Sequence, residues 1–481
     1  MNRPPRSRNC GTFIHTLDDD SLLNIFYLYR PVLLDEDEDD DTRILQGGKW
    51  ARERWWYKLT HVCQRWRYLV LGSASYLGLG LICTYGTPVA DMLAHSPPLP
   101  LIIDYIDENR DITAKDEEGI MVALQHRDRV RRIRLWMPIP NLQKPIMAID
   151  KEFPVLEYLY IDPQTRDDTG LRLPKTFKAP HLRHLILENF AFLIGSPLLT
   201  TTLGLVTLSL ERIPRSAHFH PNDLLQRLSL MPQLEVVGID FRLPVPNYDV
   251  EMQLLDTPIM THVTLPNLRW FGFCGVSAYL EALLGRMTTP SLEKFQIEFS
   301  NQPILSFPHL QEFICTAKNL KFSSAASASM GFSTWNFWMT VYPHSGTKMY
   351  FLDLAVGSGH LDRQVVSAAQ LFNLLEEVFS AVEGLTLEYK RHSISSEWNN
   401  EADRTQWREL FRSFSNVKTL RVDDGLVTQL SDSLRLDDGE SPMDVFPELK
   451  VLSSPASGGD AFTAFIDARQ KAGHPVTLHR D

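Results

Sequence analysis

The chain is 481 residues long, with 44% hydrophobic and 22% charged residues and a formal charge of -11. That length exceeds what one hydrophobic core usually fills, and that balance excludes a largely disordered chain, so several domains or one solenoid are expected. Asp35 to Asp41 supply seven of the negative charges and no basic face stands out elsewhere, which argues against a nucleic-acid partner held by counterion release.

Five cysteines, Cys10, Cys63, Cys83, Cys274 and Cys315, are scattered without paired spacing, which fits a reducing compartment better than a disulfide framework or a zinc site. No apolar stretch follows Arg3, Arg6 and Arg8, so no secretory leader is read there. The most apolar run, Leu69 to Cys83, contains three Gly and two Ser and is too short to cross a bilayer. The expectation is an intracellular protein, cytoplasmic or nuclear, without a membrane partner.

Along the chain, residues 1–12 read as a disordered tail. Asp18 or Asp19 can then start a helix whose stripe is Leu22, Leu23, Ile25, Phe26 and Tyr29. The block 35–41 reads as a solvated acidic loop, because like charges extend a chain. After it, Leu59, Val62, Cys63, Trp66 and Leu69 fall on one face of a second helix, led in by Trp50, Trp55, Trp56 and Tyr57. Two such helices cannot bury this much apolar surface by themselves.

These pieces resemble the F-box, whose pattern runs Leu-Pro, an apolar pair, Ile-Phe, then Val-Cys-x-x-Trp-Arg. Leu17, Leu22, Leu23, Ile25, Phe26, Val62, Cys63, Trp66 and Arg67 match it, while Asp18 replaces the usual Pro and the acidic loop is an insertion. The resemblance implies docking to a Skp-type adaptor of a cullin-RING ubiquitin ligase through Leu17, Leu22, Ile25, Phe26, Val62 and Trp66. Such anchors in a groove are worth about 2 kcal/mol each. The alternative is that the same stripe packs on the segment that follows.

From Val130 onward a unit recurs, apolar-x-x-apolar-x-apolar, often after Pro. It begins at Val130, Leu156, Leu182, Leu205, Leu234, Leu268, Leu292, Leu310, Met349, Val382, Val417 and Leu449, mostly 23 to 39 residues apart. Each unit ends in strand-like alternation, and helical stripes lie between units, as at Asp223 to Met231, Tyr279 to Arg286 and Val365 to Phe379. A unit that cannot bury its own apolar side must stack on its neighbours. Asp460 can cap a final helix, Ala461 to Lys471, stopped by Gly473 and Pro475.

The whole chain resembles a large fungal family of F-box-like, leucine-rich-repeat proteins, on the segments Thr60 to Leu71, Thr87 to Tyr105 and Gly459 to Leu478. The expected fold is α/β, with all-α F-box-like helices over 13–72 and an irregular leucine-rich-repeat solenoid over 73–481. Parallel strands form one face of that solenoid, helices the other, and a C-terminal cap covers 460–481. The resemblance implies a substrate-recognition role in which the repeats hold a protein substrate.

Strand residues between the buried ones should face a partner, which makes Tyr158, Tyr160, His184, Trp270, Lys294 and Arg421 candidates, with Thr207, Ser209, Gln296 and Thr419 beside them. Carboxylates follow the last apolar residue of many units: Asp162, Glu188, Glu211, Asp240, Glu298, Glu388 and Asp423. In register they would form a ladder able to steer a basic segment, Glu211 and Asp240 included; otherwise they serve turns and helix starts. His218 with His220, and His181 with His184, lack a convincing third ligand, so no metal or other cofactor is expected. No phosphate loop, nucleophile elbow or metalloprotease signature is present, and an enzyme is not expected.

Overall fold

A computed structural model of the chain describes residues 17–29, 55–106, 110–165, 170–241, 259–299, 307–317, 320, 326–343, 350–358, 360–390, 402–436, 440–455 and 459–480. The expected tail at 1–12 and the acidic loop at 35–41 lie outside the described residues.

Three helices open the described chain: α1 (Asp19–Tyr29), α2 (Trp55–Thr60) and α3 (Gln64–Gly72). Asp18 caps α1, accepting from the Ser21 amide at 2.7 Å, so the residue that replaces the usual Pro still starts the helix. The single helix expected over 59–69 is broken into α2 and α3. The Thr60 hydroxyl bonds back to the Tyr57 carbonyl at 2.8 Å and the Arg67 side chain caps the Thr60 carbonyl at 2.9 Å, which ends α2 before Val62.

Among the described residues eighteen strands follow: β1 (Leu81–Cys83), β2 (Leu101–Tyr105), β3 (Val130–Trp136), β4 (Tyr158–Asp162), β5 (His184–Glu188) and β6 (Thr207–Glu211). Next come β7 (Val236–Asp240), β8 (Val263–Thr264), β9 (Trp270–Gly275), β10 (Met287–Thr288), β11 (Lys294–Phe299) and β12 (Ala326–Ser333). The last are β13 (Asn336–Tyr342), β14 (Leu352–Gly357), β15 (Val382–Lys390), β16 (Thr419–Val422), β17 (Val451–Ser454) and β18 (Thr477–Arg480). All but β8 and β10 form one 16-stranded sheet, ordered β1-β2-β3-β4-β5-β6-β7-β9-β11-β14-β13-β12-β15-β16-β17-β18.

The repeated unit aligns edge to edge, as stacking of unclosed units requires. Ile133, Leu159, Leu185, Leu208, Val237, Phe271, Phe295 and Leu352 stand opposite one another across eight strands, every one buried. Full burial of such a side chain is worth roughly 1.5–3 kcal/mol, so this one row is a large part of what fixes the register. The leading Leu of the units, Leu156, Leu182, Leu205, Leu234, Leu268 and Leu292, is also fully buried.

One of the twelve units is not a strand. Leu310 belongs to the helix Pro308–Thr316, where Pro sits in the first turn and Leu310, Phe313 and Ile314 are buried at helical spacing. The sequence also conceals a hairpin. β12 and β13 pair antiparallel, and β13 pairs antiparallel with β14, inside a sheet that is otherwise parallel. The buried Gln364 pins the hairpin turn, its amide donating to the Ser333 carbonyl at 2.8 Å and the Ser358 carbonyl at 2.5 Å.

At the far end the expected cap is one more repeat. The final helix, Thr463–Lys471, places Phe465 inward after a short turn that buries Phe462, and the chain then adds β18 in parallel to β17. Gly473 turns the chain between them with a positive φ of 84°, which favours glycine.

Candidate functional site

Two surfaces answer to the sequence reading: the N-terminal helices and the sheet face opposite the helices.

In the N-terminal module the candidate anchors divide. Leu22 and Phe26 are buried, Phe26 packs edge-on to Trp66 at 4.7 Å, and Leu17 and Trp66 are partly buried against the same core. Only part of the α1 stripe, Leu22 and Phe26, is buried inward. These two are thus taken up in holding α1 to α3, which corrects the expectation for Leu22 and Phe26, while Leu17 and Trp66 stay partly exposed. Arg65 fastens the pair, bonding Asp19 at 2.6 Å and the Leu17 carbonyl at 2.6 Å. Ile25 and Val62 do face outward, 42% and 56% exposed, as does Tyr29 of the expected stripe, and the sequence reading missed the exposed Leu28, Tyr27 and Tyr68.

On the sheet, the side chains at the start of the strands form a row: Arg132, Tyr158, His184, Thr207, Val236, Trp270 and Lys294. The Arg132 guanidinium lies 5.0 Å from the Tyr158 ring, Tyr158 is 5.5 Å from the His184 ring, and His184 Nδ1 is 3.0 Å from the Thr207 hydroxyl. Burial, then the nearby Arg183 and Arg132, pulls the His184 pKa down to about 4, so its imidazole is neutral at pH 7. Trp270 lies across Gly238 and Gly272, and a Cβ at Gly272 would overlap its ring. These glycines give the indole its place on the sheet.

At the other end of the same strands the expected carboxylates fall in one row only in part, because Cys274 on β9 interrupts it. Glu188 stands opposite Glu211, and Asp240 and Glu298 both stand opposite Cys274. Its environment differs from the expectation, because Asp162, Glu188 and Asp240 are buried. Arg212, which follows β6 with a positive φ of 50°, reaches back to bond Glu188 and lies 3.6 Å from Asp162. The Tyr160 hydroxyl donates to Glu188 at 3.1 Å, and the Ser209 hydroxyl donates to Glu211 at 2.9 Å. Tyr160 and Asp240 are therefore covered and do not meet a partner, and Glu211 is half-buried within the network. The reading missed Arg212, whose place directly after Glu211 in Leu-Glu-Arg-Ile was the available signal.

Carboxylates crowded in a half-dry row hold protons. Burial first, then the neighbouring Glu188, pushes Asp162 up to about 6 and Glu211 up to about 7. Both values lie above those of an unfolded chain, so the folded state binds more protons and the associated stability is present at acid pH and lost as pH rises through 6 to 7. The urea midpoint should accordingly fall between pH 5 and 8, by up to about 1.4 kcal/mol per pH unit for each proton held. Glu211→Gln should flatten that slope; an equally steep slope in the variant would show that the row does not titrate.

The face opens further along. From β11 on, the outward positions Lys294, Gln296, Glu298, Asp353, Thr340, Ser329, Thr386 and Glu388 are half-exposed and Thr419 and Arg421 are exposed. Of the candidate partner residues, Arg421 is the most open, Lys294 sits 5.7 Å from the Tyr350 ring, and Tyr158, His184 and Trp270 are half-buried.

The histidines are held by the fold: His181 Nδ1 lies 2.7 Å from the Pro154 carbonyl, and His220 Nδ1 accepts the Asn222 amide at 3.0 Å to start the helix Pro221–Leu228. Among the described residues no group of three or more His, Cys, Asp or Glu could hold a metal ion, and no helix is long and apolar enough to cross a membrane.

No family model and no curated protein matches the chain. Among solved structures, the leucine-rich repeat-containing protein LegL7 from Legionella pneumophila is 10% identical, over 83% of this chain and 99% of that one, with a TM-score of 0.23. So low a score carries no argument; the repeat architecture rests on the strand register itself.

Proposed function

We propose that the chain is a non-enzymatic, intracellular recognition subunit: the N-terminal helices dock a Skp-type adaptor of a cullin-RING ubiquitin ligase, and the repeat sheet holds a protein substrate for ubiquitin transfer by other subunits. The observation that carries the reading is the set of exposed apolar side chains Ile25, Leu28 and Tyr29 along α1, with exposed Val62 between α2 and α3, on a helical module that shares a core with the repeat sheet. Exposed aliphatic and aromatic side chains of this kind suit a helix-in-groove contact. Catalysis would then amount to proximity, with no cofactor in this chain.

The second reading, an autonomous repeat scaffold, draws on the inward packing of Leu22 and Phe26, with Phe26 against Trp66, which uses part of the apolar stripe to hold α1 to α3.

A pull-down with purified Skp-type adaptor separates the two. Binding should drop by about 30-fold or more in Ile25→Asp, Leu28→Asp, since two hot-spot contacts are removed without touching the buried side. An adaptor that fails to bind the unaltered chain favours the scaffold.

A further inference from the structure

The sheet ends on β18, and one flank of that strand is open. Thr477 donates its amide to the Lys450 carbonyl at 2.8 Å, so the backbone of Thr477 and His479 faces β17 and that of Val476, Leu478 and Arg480 faces away. Among the described residues no hydrogen bond reaches the backbone amides and carbonyls of those three. Such a row of free donors and acceptors is a template for another strand. The core reaches the same edge. Leu385, Leu420, Leu452 and Leu478 stand in register across β15 to β18, the first three buried and Leu478 half-exposed.

Open backbone beside a half-covered leucine suits a strand that brings its own apolar side chain to the matching position. β18 is itself such a strand. Laid antiparallel against a second copy with Leu478 opposite the partner's Leu478, it sets Arg480 opposite the partner's Val476 and Thr477 opposite the partner's His479. Every outward-facing residue then falls at a hydrogen-bonded position, and no cation faces a cation. Other registers do worse. Sliding the pair one way sets His479 against the partner's His479, or Arg480 against the partner's Arg480. Sliding it the other way gives up the bonds at Arg480, because the His474 amide that would come opposite already donates to the Arg469 carbonyl.

We propose that the chain forms a two-fold dimer through β18, its sheet running on into the sheet of a second copy. The same patch meets itself, so the contact closes at two copies. The two-fold axis stands perpendicular to the sheet, which puts the helices of both copies on one side and both outward sheet faces on the other. A dimer therefore offers its outward face twice to whatever that face holds.

Sedimentation equilibrium of the full chain should show a monomer–dimer equilibrium. Leu478→Pro removes the open amide and spares the bonds to β17, since proline is tolerated on an edge strand where the N–H faces out. It should weaken dimerisation about 5- to 150-fold, for the two symmetry-related hydrogen bonds lost. Cysteines read the register. In the proposed pairing the Leu478 Cα atoms of the two copies lie about 5.5 Å apart, within reach of a disulfide, and the Arg480 Cα atoms about 14 Å apart. Leu478→Cys should therefore oxidise to a cross-linked dimer, while Arg480→Cys and the unaltered chain should not. A chain that stays monomeric at every concentration overturns the proposal. So do a Leu478→Pro variant that folds and dimerises as tightly as the unaltered chain, cross-linking of Arg480→Cys as fast as Leu478→Cys, and assemblies that grow beyond two copies. Should Leu478→Pro fail to fold, the cysteine pair decides.

Discussion

Replacing Arg212 with Met should destabilise the repeats around β4 to β7 by about 3–5 kcal/mol, the usual cost of stripping a buried carboxylate of its cation. Arg212 bonds Glu188 and lies 3.6 Å from Asp162, with both carboxylates buried and three-quarters of its own side chain covered. Without it, Asp162, Glu188, Glu211 and Asp240 face one another across neighbouring strands. The folded chain can relieve that repulsion by taking up further protons, so the deficit should shrink on acidification toward pH 5 and widen toward pH 8. Amide exchange in β4 to β7, followed across that range, reads both effects. A loss under about 1 kcal/mol with unchanged pH dependence would mean that the row is solvated and that Arg212 is a surface residue.

The second large effect concerns the end of the array. Arg469 is buried within the last helix, and its guanidinium donates to the carbonyls of Pro442, Phe446, Pro447 and Leu449 at 3.2, 3.1, 3.0 and 3.0 Å. Those carbonyls lie in the segment leading into β17, where Phe446 holds a positive φ of 51°. Arg469→Met keeps the bulk and removes the donors, so orphaned carbonyls should cost roughly 3 kcal/mol. Because each repeat leans only on its neighbours, the loss should be confined: β17 and β18 amides exchange faster, and β3 to β7 stay as they were. Uniform acceleration along the whole sheet would instead mean that the array unfolds as one unit.

The parallel part of the fold was legible because its signal is an apolar one that repeats. Leu-x-x-apolar-x-apolar is what a buried strand with its lead-in Leu must look like, and eleven of the twelve marked units pair as strands. Leu310 misled the pattern because Phe313 is followed directly by Ile314, a spacing that suits a helix face. β12 and β13 alternate in Ala-Ser-Ala-Ser-Met-Gly-Phe and Asn-Phe-Trp-Met-Thr-Val-Tyr, yet neither carries the lead-in Leu, so a search for the repeat passed over them. The site was less legible. Alternation says which residues share a face and not whether that face is open, and burial of Tyr160 and Asp240 depends on what reaches over them. The same limit applied to α1, where Leu22 and Phe26 of the expected stripe are packed while Ile25 and Tyr29 are exposed.

The inserted hairpin has a geometric consequence. Ordinary repeats bend because helices need about 8–10 Å each while paired strands need only about 4.8 Å, so the strand side takes the inside of the curve. From β11 to β15 the order β11-β14-β13-β12-β15 makes four strand steps, and the described helices longer than one turn behind them are Pro308–Thr316 and Leu361–Leu374. Four steps span about 19 Å against about 10 Å for two helix axes, so in this stretch the strand side is the wider one and the usual mismatch is reversed. A strand side so widened holds its outward side chains apart, and Glu298, Trp338 and Glu388 stand half-exposed along it.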